Sequence, residues 1–108
     1  MKKNGKATAG KNGSDSGLYV FRLFVTGASP NSLRAIANTK NICEKHLKEN
    51  YDLEIIDVYQ QPVVASKENI IALPLLIKKY PLPEKRFIGD MSDIERVLKS
   101  IGLSNRDT

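Results

Sequence analysis

Apolar residues first gather between Leu18 and Thr26 (LYVFRLFVT), where they fill both alternating faces and only Arg22 and Thr26 interrupt. That pattern predicts a strand covered on both sides. Gly27-Ala28-Ser29-Pro30 is a turn, in which Ser29 suits a helix cap and Pro30 a first helical position. A helix is predicted from about Pro30 to Glu49. Leu33, Ile36, Ala37, Cys43 and Leu47 fall near one stripe, and Arg34, Lys45 and Lys48 lie off it. Asn50 is the expected stop. Leu53 to Tyr59 (LEIIDVY) reads as a second strand. Two strands joined by a long helix should lie parallel, as a right-handed βαβ unit.

The second half is more broken. Pro62 to Asn69 is a candidate short helix, weakened by Val63 and Val64. Ile70 to Lys78 (IIALPLLIK) is apolar with Pro74 in its middle. Proline cannot donate to a central ladder, so this strand is an edge, is interrupted, or begins after Pro74. Tyr80-Pro81-Leu82-Pro83 is a rigid connection, and Lys85 to Ile88 a short strand closed by Gly89-Asp90. Ser92-Asp93-Ile94-Glu95 reads as a capping box. The helix it opens carries Ile94, Val97, Leu98 and Ile101 on one side and ends at Gly102. The order β-α-β-(α)-β-β-α, with proline ahead of the third strand, is the thioredoxin-like plan of the α/β class.

Composition bounds the rest. A chain of 108 residues with 41% hydrophobic residues fits one compact domain. No apolar run reaches the roughly 18 residues of a membrane span. Residues 1–17 are rich in Gly, Ser, Asn and Lys, and read as a disordered tail without the apolar core of a secretory signal. The domain is expected over 18–103, and 104–108 should fray. Four lysines and one aspartate in the tail supply +3 of the net +5. The basic balance therefore argues little for nucleic acid. One cysteine and no signal point to the cytoplasm.

Catalytic chemistry finds little support. The turn where a thioredoxin-like redox protein carries its C-x-x-C is Gly27-Ala28-Ser29-Pro30, without a thiol. Cys43 falls on the apolar stripe, where a small buried hydrophobe is the simpler reading. A thioredoxin-like redox protein using Cys43 is the alternative. His46, the only histidine, lacks a third orienting group. There is no phosphate-binding glycine motif and no metal-ligand cluster, so neither cofactor nor metal is expected. What remains is a basic group (Arg22, Arg34, Lys85 and Arg86, with Lys78 and Lys79 adjoining in sequence), the prolines Pro74, Pro81 and Pro83, and the Phe87–Ser92 turn.

From about Tyr19 to Leu98 the chain resembles the KaiB family of circadian-clock proteins. The resemblance rests on Leu23-Phe24-Val25-Thr26-Gly27-Ala28-Ser29-Pro30-Asn31-Ser32, Ile55-Ile56-Asp57-Val58, Ala72-Leu73-Pro74-Leu75-Leu76 and Arg86-Phe87-Ile88-Gly89-Asp90-Met91-Ser92. It implies a non-enzymatic protein that binds the hexameric ATPase and autokinase KaiC and, in cyanobacteria, KaiA. It also implies a metamorphic second half. The ground state, often tetrameric, keeps the βαβ half but rearranges the rest, and a switched thioredoxin-like state binds KaiC. On this resemblance Arg34, Lys85, Arg86 and Asp90 are the expected partner contacts. Pro74, Pro81, Pro83, Gly89 and Asp90 are the expected switch positions, with Gly89 using its backbone freedom in the ground state. A homo-oligomer, dimer or tetramer, is expected, with an exposed edge along Ile70–Ile77 to cover.

Overall fold

The computed structural model describes residues 18–103, so the readings made for 1–17 and 104–108 lie outside the described residues. The elements are β1 (Tyr19–Val25), α1 (Pro30–His46), β2 (Tyr51–Asp57), α2 (Pro62–Ser66), β3 (Leu75–Tyr80), β4 (Lys85–Ile88) and α3 (Ile94–Ser100). One four-stranded sheet has the order β2-β1-β3-β4. β1 and β2 are parallel, as a helical crossover requires, and β3 runs antiparallel to both β1 and β4.

Side chains alternate across the sheet, so each strand feeds two cores. Phe21, Leu23 and Val25 from β1 and Leu76 from β3 meet Ala35, Ile42 and Cys43 of α1 and Val97 and Leu98 of α3. On the opposite face Phe24, Ile56, Leu75 and Ile77 form a smaller core, covered by Val64 and Ala65 of α2 and by Ile70 and Leu73. β1 is thus covered on both faces, as its composition predicted. Each fully buried Leu, Ile or Phe stabilises the fold by about 1.5–3 kcal/mol.

Several boundaries differ from expectation. α1 ends at His46, three residues before Glu49, and the chain turns through Lys48 at φ +54°. β2 starts at Tyr51, and Val58 and Tyr59 fall past its end. The buried side of α1 is Ser32, Ala35, Thr39, Ile42 and Cys43, whereas Leu33 and Ala37 are exposed. Of the predicted stripe, Cys43 and Leu47 are buried and Ile36 packs against the core, but the polar Ser32 and Thr39 take the inward places expected for Leu33 and Ala37. β3 begins immediately after Pro74, the third of the options that a proline allows. It lies between β1 and β4, so the Ile70–Ile77 segment is not a sheet edge; β2 and β4 are the edges.

The caps explain the helix starts. The Ser29 hydroxyl accepts the Ser32 N–H at 3.2 Å, and the Ser32 hydroxyl accepts the Thr26 N–H at 3.0 Å. At α3 the cap is Asp93, whose carboxylate accepts the Arg96 N–H at 3.4 Å, rather than Ser92. Ser92 is occupied otherwise, its N–H donating to Asp90 Oδ1 at 3.0 Å. Gly102, at φ +88°, closes α3 as expected.

Candidate partner-binding site

The C-terminal ends of β1, β2 and β4 and the N-terminal end of β3 lie at one end of the sheet. The Arg34 Nε of α1 reaches Asp90 Oδ2 at 3.1 Å, and Asn38 Nδ2 donates to the Asp90 carbonyl at 2.8 Å. Asn31 also accepts from the Arg34 guanidinium. Asp90 therefore pins the β4–α3 loop to α1. The hydrogen bonds from Ser92, reinforced by Arg34, hold its carboxyl below the usual aspartate range. The Gly89 N–H donates to the Pro74 carbonyl at 3.0 Å, which joins this loop to the turn before β3. The Leu73-Pro74, Tyr80-Pro81 and Leu82-Pro83 peptides are all cis.

Gly89 has φ +119° in this arrangement, so its glycine freedom is used here and is not reserved for a different state. Asp90 likewise makes its turn contacts here. Met91 follows at φ +64° and is buried, which fixes the loop further.

Arg34 and Asp90 are brought together; Lys85 and Arg86 are not joined to them or to each other. Strand alternation sends their side chains to opposite faces. Arg86 turns to the α2 side, donates to the Glu68 carbonyl at 2.8 Å, and meets Glu68 Oε1 at 3.2 Å and Glu84 Oε2 at 3.3 Å. Lys85 sits opposite Lys78 on the other face. Lys78 is not a surface cation: it is 3% exposed and donates to the Pro81 carbonyl at 2.7 Å. Burial, with Lys85 opposite, lowers its pKa. Pro81 and Pro83 belong to this β3–β4 turn, at the far end of β3 from Pro74.

The proposed basic group is thus split: Arg22, Lys79 and Arg86 gather on an acidic residue that sequence reasoning missed, while Arg34, Lys78 and Lys85 lie elsewhere. Glu68, with its side chain 11% exposed, receives Lys79 at 3.2 Å, Arg86 at 3.2 Å and Arg22 at 3.6 Å. Arg22 also meets Glu54, its partner in the β1–β2 register, at 3.3 Å. That cross-strand pairing was the one signal a sequence offers.

Cys43 is buried, and its burial pushes the thiol up to about 12. A thiol so held carries almost no thiolate near neutrality. Among the described residues no group of three or more His, Cys, Asp or Glu could hold a metal, and no helix is long and apolar enough to cross a membrane.

A profile of the KaiB domain matches residues 22–103. The chain belongs to the KaiB family. It is 46% identical over 89 residues to the circadian clock protein KaiB3 of a Synechocystis strain, covering 82% of this chain and 87% of that protein. The circadian clock oscillator protein KaiB of Synechococcus elongatus is 45% identical over 85 residues, covering 79% and 83%. These KaiB relatives are named for a clock and not for a reaction. In fold, the N-terminal domain of Synechococcus elongatus SasA superposes with a TM-score of 0.65 at 21% identity, over 94% of this chain and 89% of that one. The Drosophila thioredoxin Deadhead does so with 0.64 at 11% identity, over 82% and 83%. This KaiB-family chain is therefore thioredoxin-like through its second half as well as its first.

Proposed function

We propose that this KaiB-family protein is a non-enzymatic regulator that binds a KaiC-type ATPase in a timing or stress-response system. The supporting observation is the arrangement of residues 75–100: a thioredoxin-like second half, held by Arg34–Asp90 and Gly89–Pro74, in a chain of this family. That is the arrangement in which KaiB resemblance implies KaiC binding. Arg34, Lys85, Arg86 and Asp90 remain the proposed contacts, at three separate places: the Arg34–Asp90 pair, Lys85, and Arg86 on the opposite face of β4. A homo-oligomer, dimer or tetramer, and a cytoplasmic setting belong to the same reading. The buried Cys43, its pKa at about 12, weighs against the redox alternative.

Arg86→Glu is a poor test, because it sets a third carboxylate beside Glu68 and Glu84. Lys85→Glu is cleaner: Lys85 makes no ion pair among the described residues, and losing its charge relieves Lys78. A KaiC-type hexamer should be retained by the immobilised wild type. Lys85→Glu should weaken retention by about tenfold, equivalent to about 1.4 kcal/mol, with no loss of thermal stability. Absence of any retention by wild type would overturn the KaiC assignment. Equal retention by the variant would remove Lys85 from the contact set.

A further inference from the structure

β4 is the outer strand of the sheet and pairs only with β3. The Gly89-to-Pro74 hydrogen bond sets the phase of that ladder. Hydrogen-bonded and non-hydrogen-bonded positions alternate in an antiparallel pair. Gly89, Phe87 and Lys85 therefore turn their backbone groups toward β3, and Arg86 and Ile88 turn theirs outward. Beside this edge, between β4 and the start of α3, lies a cleft of about 320 Å³ whose lining includes Arg86, Ile88, Ser92, Arg96 and Val97. Ile88 is 59% exposed.

The charges around the cleft are not equally available. Asp90 is held by Arg34 and the Ser92 N–H, and Asp93 caps α3. Arg96 in the cleft lining, and Lys85 at the start of β4, are exposed and make no ion pair among the described residues. Self-pairing through this edge would gather two copies each of Lys85 and Arg86 along a four-residue strand, a common defence of exposed edges. An acidic partner avoids this repulsion between cations, and the carboxylates nearest to it, Asp90 and Asp93, are already engaged by Arg34 and by backbone N–H groups.

We infer that the β4 edge is a strand-addition site for an extended acidic segment of a partner protein. The segment's backbone pairs with the outward groups of Arg86 and Ile88, and its carboxylates meet Lys85 and Arg96. The backbone contacts supply affinity, and the two free cations select against basic or neutral strands.

The probe is a blocked synthetic hexapeptide alternating valine and glutamate, titrated into isotope-labelled protein and followed by amide NMR. No ATPase enters, so failure here is distinct from failure of the KaiC reading. Saturable shifts are expected, largest at the Arg86 and Ile88 amides. The same peptide with lysine for glutamate, or N-methylated at alternate residues, should give none. Arg96→Glu places an acid in the first turn of α3, where it is tolerated, and should weaken binding by about fivefold or more. Ile88→Pro removes an outward N–H and no hydrogen bond to β3, a change that edge strands accommodate, and should abolish the shifts at Arg86. Binding that survives N-methylation, shifts centred elsewhere, or shifts that follow protein concentration instead of peptide would overturn the site.

Discussion

Thr39 is 1% exposed, and its hydroxyl has no hydrogen-bond partner among the described residues. A buried hydroxyl without a partner carries a desolvation cost that an isosteric methyl avoids. Thr39→Val should therefore stabilise the protein by about 1 kcal/mol, seen as a higher urea midpoint at unchanged slope. Loss of stability would show that the hydroxyl is satisfied in solution. Thr39 also illustrates why the sequence misjudged α1. Of the expected inward residues Leu33 and Ala37 face solvent, Ile36, Cys43 and Leu47 pack inward, and the polar Ser32 and Thr39 are buried. Residue type ranks average burial, but the helix phase is fixed by where Ser29 caps and how closely α1 meets Leu23 and Val25. Neither is visible in a list of apolar positions.

At the scale of elements, the β4–α3 loop is held by backbone geometry as much as by contacts. A Cβ at Gly89 would meet nothing within 4 Å, so the strain of a side chain at φ +119° is purely conformational. Gly89→Ala should cost about 1–3 kcal/mol of this arrangement. The expected readout is a lower melting temperature with weakened amide protection at Gly89 and along β4. An unchanged melt would mean that the loop adopts an ordinary φ in solution. The seven elements and their order were legible, because strand period, a proline-preceded turn and glycine stops are local signals. The cap of α3 was legible only to within a residue. Ser92 and Asp93 are both good capping types, and the choice falls to Asp93 because Asp90 already engages the Ser92 N–H. The candidate site was half legible. Gly89-Asp90 stood out by composition, but its tie to Arg34 spans 56 positions and depends on how α1 lies over the sheet.

At the scale of the whole molecule Glu68 meets more cations than any other carboxylate among the described residues, and it ties the segment between α2 and β3 to β1, β3 and β4 through Arg22, Lys79 and Arg86. With its side chain 11% exposed it is not a loose surface pair. Glu68→Gln keeps the shape and leaves three cations without their central anion. It should destabilise the fold by about 1–3 kcal/mol, and added salt should narrow the gap by screening the cations from one another. A difference that does not respond to salt would make Glu68 a hydrogen-bonding residue and not a charge hub. No composition count reveals this, since three strands of the sheet and the segment after α2 must be in place before the charges meet. The same sheet order has another consequence. β1 is zipped on one side to β2, which is next to it through a single helix, and on the other to β3, which arrives only after α2. Detaching the second half would turn β1 from a middle strand into a raw margin, with the ladder from Val20 to Phe24 open and Phe21 and Leu23 stripped of Leu76 and α3. Such a species is adhesive toward any free strand. Any excursion of the second half must therefore exchange one covering for another, and a chain caught between coverings would be captured first by its own kind.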